Sequence, residues 1–417
     1  MSSSPFILVS PPGFQHYDCV GCGACCRGRF AIGVTPEEYA RISAQGWEAD
    51  SALAGKTLFL PQGDHFVTAY DAQGACVFLD ERGLCRIHAK FGEAAKPLAC
   101  RLYPFRFIPA GRQARVSIRF DCPESACNRG RPLTAHLPAL RALLPLALPP
   151  AALDLPAPPL LGRVAVSWEW LTRIIEAVDG LLCTKSLDAT RRVAGCVNYS
   201  ALLRNPRLTE LDDRAFTDLL TKVAVKVTDA AKEDGLCRKA PPGMARMAFR
   251  QLAGVYARVD YRGAPANLSQ RFSTALRLLT GSGMVPAIQP DFPAVPFAAL
   301  EESFGIPDAD ATEPIIRYLR TRLLSMGFFG TAFYGRAFLD GLDALLFSYP
   351  LLLWFTRLFS AGRGLSTIDR TAAERTVEIV DHQHGVNPIL DLPSERSRIR
   401  FLCERTILRS LLVWYGS

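Results

Sequence analysis

The sequence predicts an α+β chain, with a small cysteine-rich, metal-organised first domain of hairpins and short helices and a mostly helical second one. Three observations carry this reading. Nine of the thirteen cysteines fall between Cys19 and Cys127. A proline-dense stretch follows over residues 131–159, with eight prolines among alanines and leucines. Beyond it, apolar residues recur every three or four positions to near the end of the chain, the period of amphipathic helices. The expected division is residues 1–130, a cysteine-cluster metal-binding domain; 131–160, a Pro-rich connector; and 161–417, an all-α domain.

Composition narrows the function classes. Apolar residues make up 49% and charged residues 21% of 417 positions, enough for a large buried core. A net charge of +8 with no basic run does not point to a nucleic-acid partner. The opening "MSSSPFILVSPPGFQHYD" has no basic start, no long apolar stretch and no small-residue cleavage site, so no secretory signal is expected. In "LDALLFSYPLLLWFTRLF", residues 342–359, Asp343 and Pro350 interrupt the roughly 20 clean apolar residues that a membrane span needs. That segment is expected to be a buried central helix kinked at Pro350. A cytoplasmic location is expected.

The first domain reads as mixed. "TPEEYARISAQG" predicts a helix with Thr35 as N-cap and Pro36 at its first position. "ACVFLDERGLCRIH" predicts a hairpin turning at "DERG", which would bring Cys76 and Cys85 together across two antiparallel strands. Two more extended segments are expected around "PAGR", over residues 106–108 and 114–120. The connector is either a semi-rigid spacer or the seat of a short helix over 137–144. Helical periodicity then covers residues 168–181, 213–232, 245–259, 268–279, 313–326, 335–359, 366–384 and 394–414. "STID" at Ser366 resembles a capping box, and Gly385 with Pro388 closes the same helix. Cys183, Cys196, Cys237 and Cys403 read as small core residues.

Chemistry concentrates in "CVGCGACCRGRF", residues 19–30. A C-x-x-C turn points two sulfurs at one ion and offers backbone N–H groups that stabilise thiolate charge. Cys19, Cys22 and Cys25 make two such turns in succession, a spacing of iron–sulfur binders. Adjacent side chains diverge, so Cys25 or Cys26 is expected to serve a second site or the back of the loop. A zinc cage and an iron–sulfur cluster both require four thiolates. In a reducing compartment, clustered thiols point to metal rather than to disulfides. Residues 101–119 carry five arginines and no acid. Arg101 and Arg106 could offset a negative cluster or hold an anionic substrate or cofactor carboxylate; solvated strand faces are the alternative.

One further constellation could move protons. Glu378 and His382 lie four apart on one helix face, with Asp381 beside them. Either His382 takes a proton from a lysine ammonium, or the two form a surface pair at a helix C-terminus. His384 is expected off that face, in solvent. His88 could ligate metal or cap local backbone, and His16 is open in the same way. The glycine loop "TGSGMVP" has no strand before it and no helix-opening signal after it, which argues against a phosphate or adenosine loop.

The blocks "CVGCGACCR", "CVFLDERGLCRIH" and "KPLACRLYPF" stand in that order. Together they resemble the YkgJ-type cysteine-cluster family, a zinc- or iron-chelating domain. The resemblance spans residues 18–127 and implies Cys19, Cys22, Cys25, Cys26, Cys76, Cys85 and Cys100 as ligands, with Cys122 and Cys127 as weaker additions. Over the whole chain, "YLRTRLLSMGFFG", "FLDGLDALLFSYPLLLWF" and "ERTVEIVDHQHGVNP" are similar in pattern and order to flagellin lysine-N-methylases (FliB). That likeness implies an iron–sulfur cluster, S-adenosylmethionine and a protein substrate presenting lysine. The expectation is therefore an iron–sulfur protein that modifies a protein lysine. Against it stands a non-catalytic zinc or iron protein, whose metal is structural or delivered to a partner.

Overall fold

Apolar side chains sort the chain into three cores. A computed structural model describes residues 6–9, 14–28, 32–233, 235, 237–258 and 268–417. The first region holds β1 (Phe6–Leu8), β2 (His16–Tyr17), α1 (Ala24–Arg27), β3 (Gly33–Val34), α2 (Pro36–Ser43), β4 (Phe59–Gln62), β5 (His65–Thr68) and α3 (Arg86–Phe91). It continues with α4 (Leu98–Leu102), β6 (Phe105–Ala110), β7 (Gln113–Ile118), α5 (Pro123–Ala126) and β8 (Arg131–Pro132). Thr35 caps α2 as expected: its hydroxyl accepts the Glu38 N–H while the Glu38 carboxylate accepts the Thr35 N–H.

Strands β3, β5 and β4 form one antiparallel sheet, and β7 lies between β6 and β1 in another. The two extended segments around "PAGR" are β6 and β7, paired from Phe105 with Ile118 to Ala110 with Gln113. Strand β1 joins β7 in parallel, a pairing that three residues near the N-terminus do not announce. The smallest cores follow from these sheets. Val34, Ile42, Trp47, Phe59, Val77, Phe78 and Ile87 pack under the first sheet, with Cys76 and Cys85 against them. Phe6, Ala114, Val116, Leu140 and Leu144 pack between the second sheet and α6 (Leu137–Ala147). The connector thus contains the helix that was one of its two readings. Its leucines dock it on the sheet, and Pro145 is tolerated inside its last turn.

The helical region comprises α7 (Trp168–Leu182), α8 (Ala189–Leu202), α9 (Asp213–Glu233), α10 (Gly243–Ala257), α11 (Leu268–Thr280) and α12 (Phe297–Glu301). It ends with α13 (Ala309–Leu324), α14 (Phe338–Gly362), α15 (Arg370–Gln383), α16 (Pro393–Leu402) and α17 (Arg405–Tyr415). On α7 the periodic residues Leu171, Ile174, Ile175, Val178 and Leu181 are all buried, each contributing about 1.5–3 kcal/mol. Val259, the expected end of α10, lies outside the described residues.

Several expectations are corrected. The residue 366–384 helix starts at Arg370 rather than at Ser366, because the Asp369 carboxylate accepts the Ala372 N–H and caps it. The 394–414 pattern is two helices, since the Glu404 carboxylate accepts the Thr406 and Ile407 N–H groups and opens a new one. Helices α8 and α12 were not anticipated. The hairpin at "DERG" is a turn with a single bridge, Leu79 to Cys85, and its second arm is α3. Cys183 and Cys237 are exposed rather than core residues.

Helix α14 runs unbroken from Phe338 through Pro350 to Gly362. It is long and apolar enough to cross a membrane by length and composition, which exceeds the expectation for residues 342–359, yet 94% of its most apolar window is buried by its neighbours. Close approach there requires glycine. A Cβ on Gly341 would stand 2.0 Å from the Phe328 carbonyl oxygen. Gly341→Ala is therefore expected to cost about 1–3 kcal/mol of stability through overpacking, read as a lower urea midpoint.

The largest core runs across residue 130. Tyr17, Ile118, Phe120, Cys122, Ala126 and Leu133 pack with Ile174, Tyr318, Leu353 and Val377. Arg317, 2% exposed, reaches from α13 to the Gln15 side chain (2.8 Å) and to the carbonyls of Ser125 (3.0 Å) and Ala126 (2.5 Å). The cysteine-bearing segments are thereby held on a helical scaffold.

Candidate metal centre

Backbone conformation shapes the cysteine loop. Gly21 and Gly23 adopt φ of +67° and +69°, the left-handed region that glycine enters without penalty. These turns fold the loop back so that Arg27 Nη1 donates to the Cys22 carbonyl at 3.0 Å. A Cβ on Gly23 would meet the Gly83 carbonyl at 3.0 Å and Arg27 Nη1 at 2.6 Å. The loop therefore lies against the 80–84 turn.

Asp80 builds that turn: its Oδ1 accepts the Arg82 N–H at 3.0 Å and the Leu84 N–H at 2.7 Å. Cys85 follows in extended conformation as the N-cap of α3. The Cys76 N–H donates to the Cys26 carbonyl at 2.8 Å, which stitches the loop to the segment before the turn. Cys100 arrives on α4, whose Leu98 N–H donates to the Glu38 carboxylate at 2.6 Å.

Cys76 and Cys100 lie in the electrostatic field of Cys25 and Cys85. Burial, then the neighbouring Cys85 and Cys25, pushes the Cys76 thiol up to about 11. Cys100 is raised by burial and by Cys76, Cys85 and Cys25, with Lys96 acting in the other direction. Cys25 Sγ and Cys26 Sγ stand 4.0 Å apart, and their contact raises Cys25 ahead of burial. Cys19 and Cys22 are exposed; Cys19 interacts with the Tyr17 hydroxyl, which also senses Cys122 and Cys25. Among the described residues, no three His, Cys, Asp or Glu side chains stand in an arrangement that could hold an ion. The donor set nevertheless fits zinc or iron in kind: soft thiols, grouped without a carboxylate among them. Ionised together, these thiols would repel one another unless a cation lay among them.

The remaining sequence candidates sit elsewhere. Arg101 is on the last turn of α4. Arg106 is on the edge strand β6, where its Nη1 is buried without a hydrogen-bond partner, and it lines a depression with Thr331 and Ala332. His88 is exposed on α3, and His16 lies in β2.

Glu378 and His382 both face the seam between β7 and α15. The His382 Nδ1 lies 3.5 Å from Asp121 Oδ2, and the Asp121 side chain is 1% exposed. Asp121 also accepts from Arg119 Nε (3.0 Å) and the Tyr103 hydroxyl (3.2 Å). This partner of His382 lies 261 residues away in sequence, on a different element. Asp381 points to the same seam, and its Oδ2 accepts the Phe120 N–H at 2.8 Å. His384 is corrected from solvent to core, 1% exposed and sharing a hydrogen bond with the Tyr256 hydroxyl at 2.8 Å. Burial and the nearby Arg322 and Arg336 hold its imidazole neutral, well below the usual range. The sequence had no signal for Asp121, Arg119 or Tyr256 as partners, since each contact is long-range.

Burial raises the Glu378 carboxyl from 4.5 to about 7 despite the Arg375 guanidinium 3.1 Å away. A raised carboxyl contributes its full share of stability below pH 4.5 and loses it as pH rises through 7. Glu378→Gln removes that loss. The variant is expected to match the parent near pH 4.5 and to exceed it at pH 8 by up to about 3 kcal/mol. Urea midpoints at the two pH values check this, and an unchanged difference would contradict the burial argument.

No curated protein and no solved structure matches the chain. Residues 18–128 match the family model CxxCxxCC, described as "Putative zinc- or iron-chelating domain", so the first region is similar to a metal-chelating cysteine-cluster domain.

Proposed function

We propose that the first domain binds zinc or iron through thiolates, with Cys25, Cys76, Cys85 and Cys100 as the inner donors and Cys19, Cys22 and Cys26 on the loop that closes over them. The observation that supports this most directly is the 2.8 Å bond from the Cys76 N–H to the Cys26 carbonyl, which holds two cysteine-bearing segments together, with Cys76, Cys85 and Cys25 all acting on the Cys100 thiol. A bound cation would supply the positive charge that these thiolates lack, and would cross-link the loop, the turn and α4. An iron–sulfur cluster is the finer reading. It is supported by the two successive C-x-x-C turns, with Gly21 and Gly23 in the left-handed region that lets the chain wrap closely. A reducing, cytoplasmic setting accompanies this reading.

Purification under exclusion of air, followed by elemental analysis and visible absorption, tests it. Iron with broad visible absorption supports the cluster; colourless protein with stoichiometric zinc supports a thiolate cage. Protein that takes up neither metal under reducing conditions would end the reading.

One observation favours catalysis as a second reading. His382 is held against a buried carboxylate, Asp121, beside a carboxyl raised to about 7, Glu378. Such a pair can accept and return a proton, as methyl transfer to a protein lysine requires. The "TGSGMVP" loop follows helix α11 and is no nucleotide cradle for S-adenosylmethionine. His382→Ala is expected to retain metal. Methyl transfer from labelled S-adenosylmethionine to protein lysine, present in the parent and lost in this variant, would support the reading; its absence in both would remove it.

A further inference from the structure

In the helical region, away from the cysteine cluster of the first region, a cleft of about 640 Å³ opens between α8, the start of α14, α16 and the start of α17. Its volume is that of a metabolite site. The floor is apolar, formed by Leu161, Val197, Ala201, Ile399 and Cys403. Five arginines line it, Arg204, Arg336, Arg396, Arg400 and Arg405, against three carboxylates, Asp340, Asp343 and Glu404.

The acids are already committed. Asp343 Oδ2 and Asp340 Oδ1 both take Arg204 Nη2, at 2.5 and 3.1 Å, and the other Asp343 oxygen accepts from the Ser200 hydroxyl at 2.6 Å. Glu404 Oε2 accepts the Thr406 and Ile407 N–H groups at 3.1 and 3.2 Å and also the Thr406 hydroxyl, so it caps α17. Arg396 is paired with Asp391 at 2.7 Å. That leaves three guanidinium groups without an ion pair among the described residues. Arg336 reaches only the Leu390 carbonyl, at 3.3 Å, and lies over the rings of Phe333 and Tyr334. Arg405 Nε donates to the Asn198 amide oxygen at 3.1 Å. Arg400 is exposed at the rim.

Arginine presents a planar fork that matches carboxylate and phosphate oxygens. Three forks with no acid partner among the described residues, above an apolar floor, select a molecule with an oxyanion on an apolar frame. We propose that this cleft binds a small organic acid, its carboxylate or phosphate group held by Arg336, Arg400 and Arg405 and its apolar part resting on Val197, Ile399 and Cys403. The inference is independent of the metal centre, since no cysteine proposed as a ligand lines the cleft.

Calorimetric titration of the intact protein with benzoate, phenyl phosphate, inorganic phosphate and benzyl alcohol tests it. One of the two aromatic acids is expected to bind at least about tenfold more tightly than both benzyl alcohol and inorganic phosphate. Which of the two prevails tells carboxylate from phosphate. Arg400→Gln, at an exposed side chain with no partner to lose among the described residues, is expected to weaken that binding about tenfold, and Arg336→Gln to do the same. Arg112→Gln, a surface residue paired with Asp154, leaves it unchanged. Equal binding of benzyl alcohol, an Arg400→Gln variant with parental affinity, or no binding of either aromatic acid would overturn the proposal.

Discussion

Cys100→Ser is expected to lose most of the zinc or iron that the parent protein carries, whereas Cys183→Ser keeps it. Cys100 is the only cysteine in its segment, and it sits in the field of Cys25, Cys76 and Cys85. Removing one thiolate from such a set leaves an ion three-coordinate or served by water, with at least about a hundredfold loss of affinity. Cys183 follows α7 as its C-cap and stands near Asp179 instead, so its replacement affects no shared donor. Metal per chain, measured on air-free protein, separates the outcomes. Equal metal in both variants would mean that the four thiols do not share an ion, and equal loss would mean that folding rather than ligation had failed. The small core under the first sheet, with Trp47 and Phe78 buried in edge-to-face contact, gives the domain apolar support of its own. Partial rather than complete unfolding is expected in Cys100→Ser.

Asp381→Ala is expected to cost about 3–5 kcal/mol of stability. The carboxylate is 1% exposed and pairs with the Arg322 guanidinium, itself 4% exposed. Its Oδ1 accepts from Arg322 Nε at 2.8 Å, and its Oδ2 accepts the Phe120 and Asp121 N–H groups at 2.8 and 3.3 Å. Truncation leaves a buried cation unpaired and two backbone donors unmet, each a larger loss than the pair's own net contribution. The double variant Asp381→Leu with Arg322→Met is expected to regain much of the loss, because neither charge then remains to be desolvated. Urea unfolding of the single and double variants measures this. A single variant within about 1 kcal/mol of the parent would show that water reaches the site. The same carboxylate anchors the end of β7, and thereby Asp121, to α15, so the single variant is also expected to loosen the His382–Asp121 contact.

The fold class was legible because its signals are local. Helical period, proline density and the Thr35–Glu38 box each operate within a few residues, and the structure follows them at α2, α7, α9 and α13 to within a few positions. Where two local signals compete, the reading failed. Asp369 outcompeted Ser366 as a cap, and Glu404 broke one periodic stretch into α16 and α17. Helix α8 escaped notice because residues on several of its faces are buried, from Thr190 and Val193 to Tyr199, which erases the one-sided stripe.

By itself the sequence determined that thiols would crowd one loop, since Cys19, Cys22, Cys25 and Cys26 are bound together by chain connectivity. It likewise determined that helices would follow the proline-rich stretch. Only the tertiary structure decided which distant groups meet: Cys76 beside Cys26, Asp121 beside His382, Asp381 under Phe120, and three arginines left over around one cleft. A charge or a thiol carries no record in its neighbours of what it will face, because that depends on how apolar surfaces elsewhere pack, and burial then sets which ionisable groups stay charged.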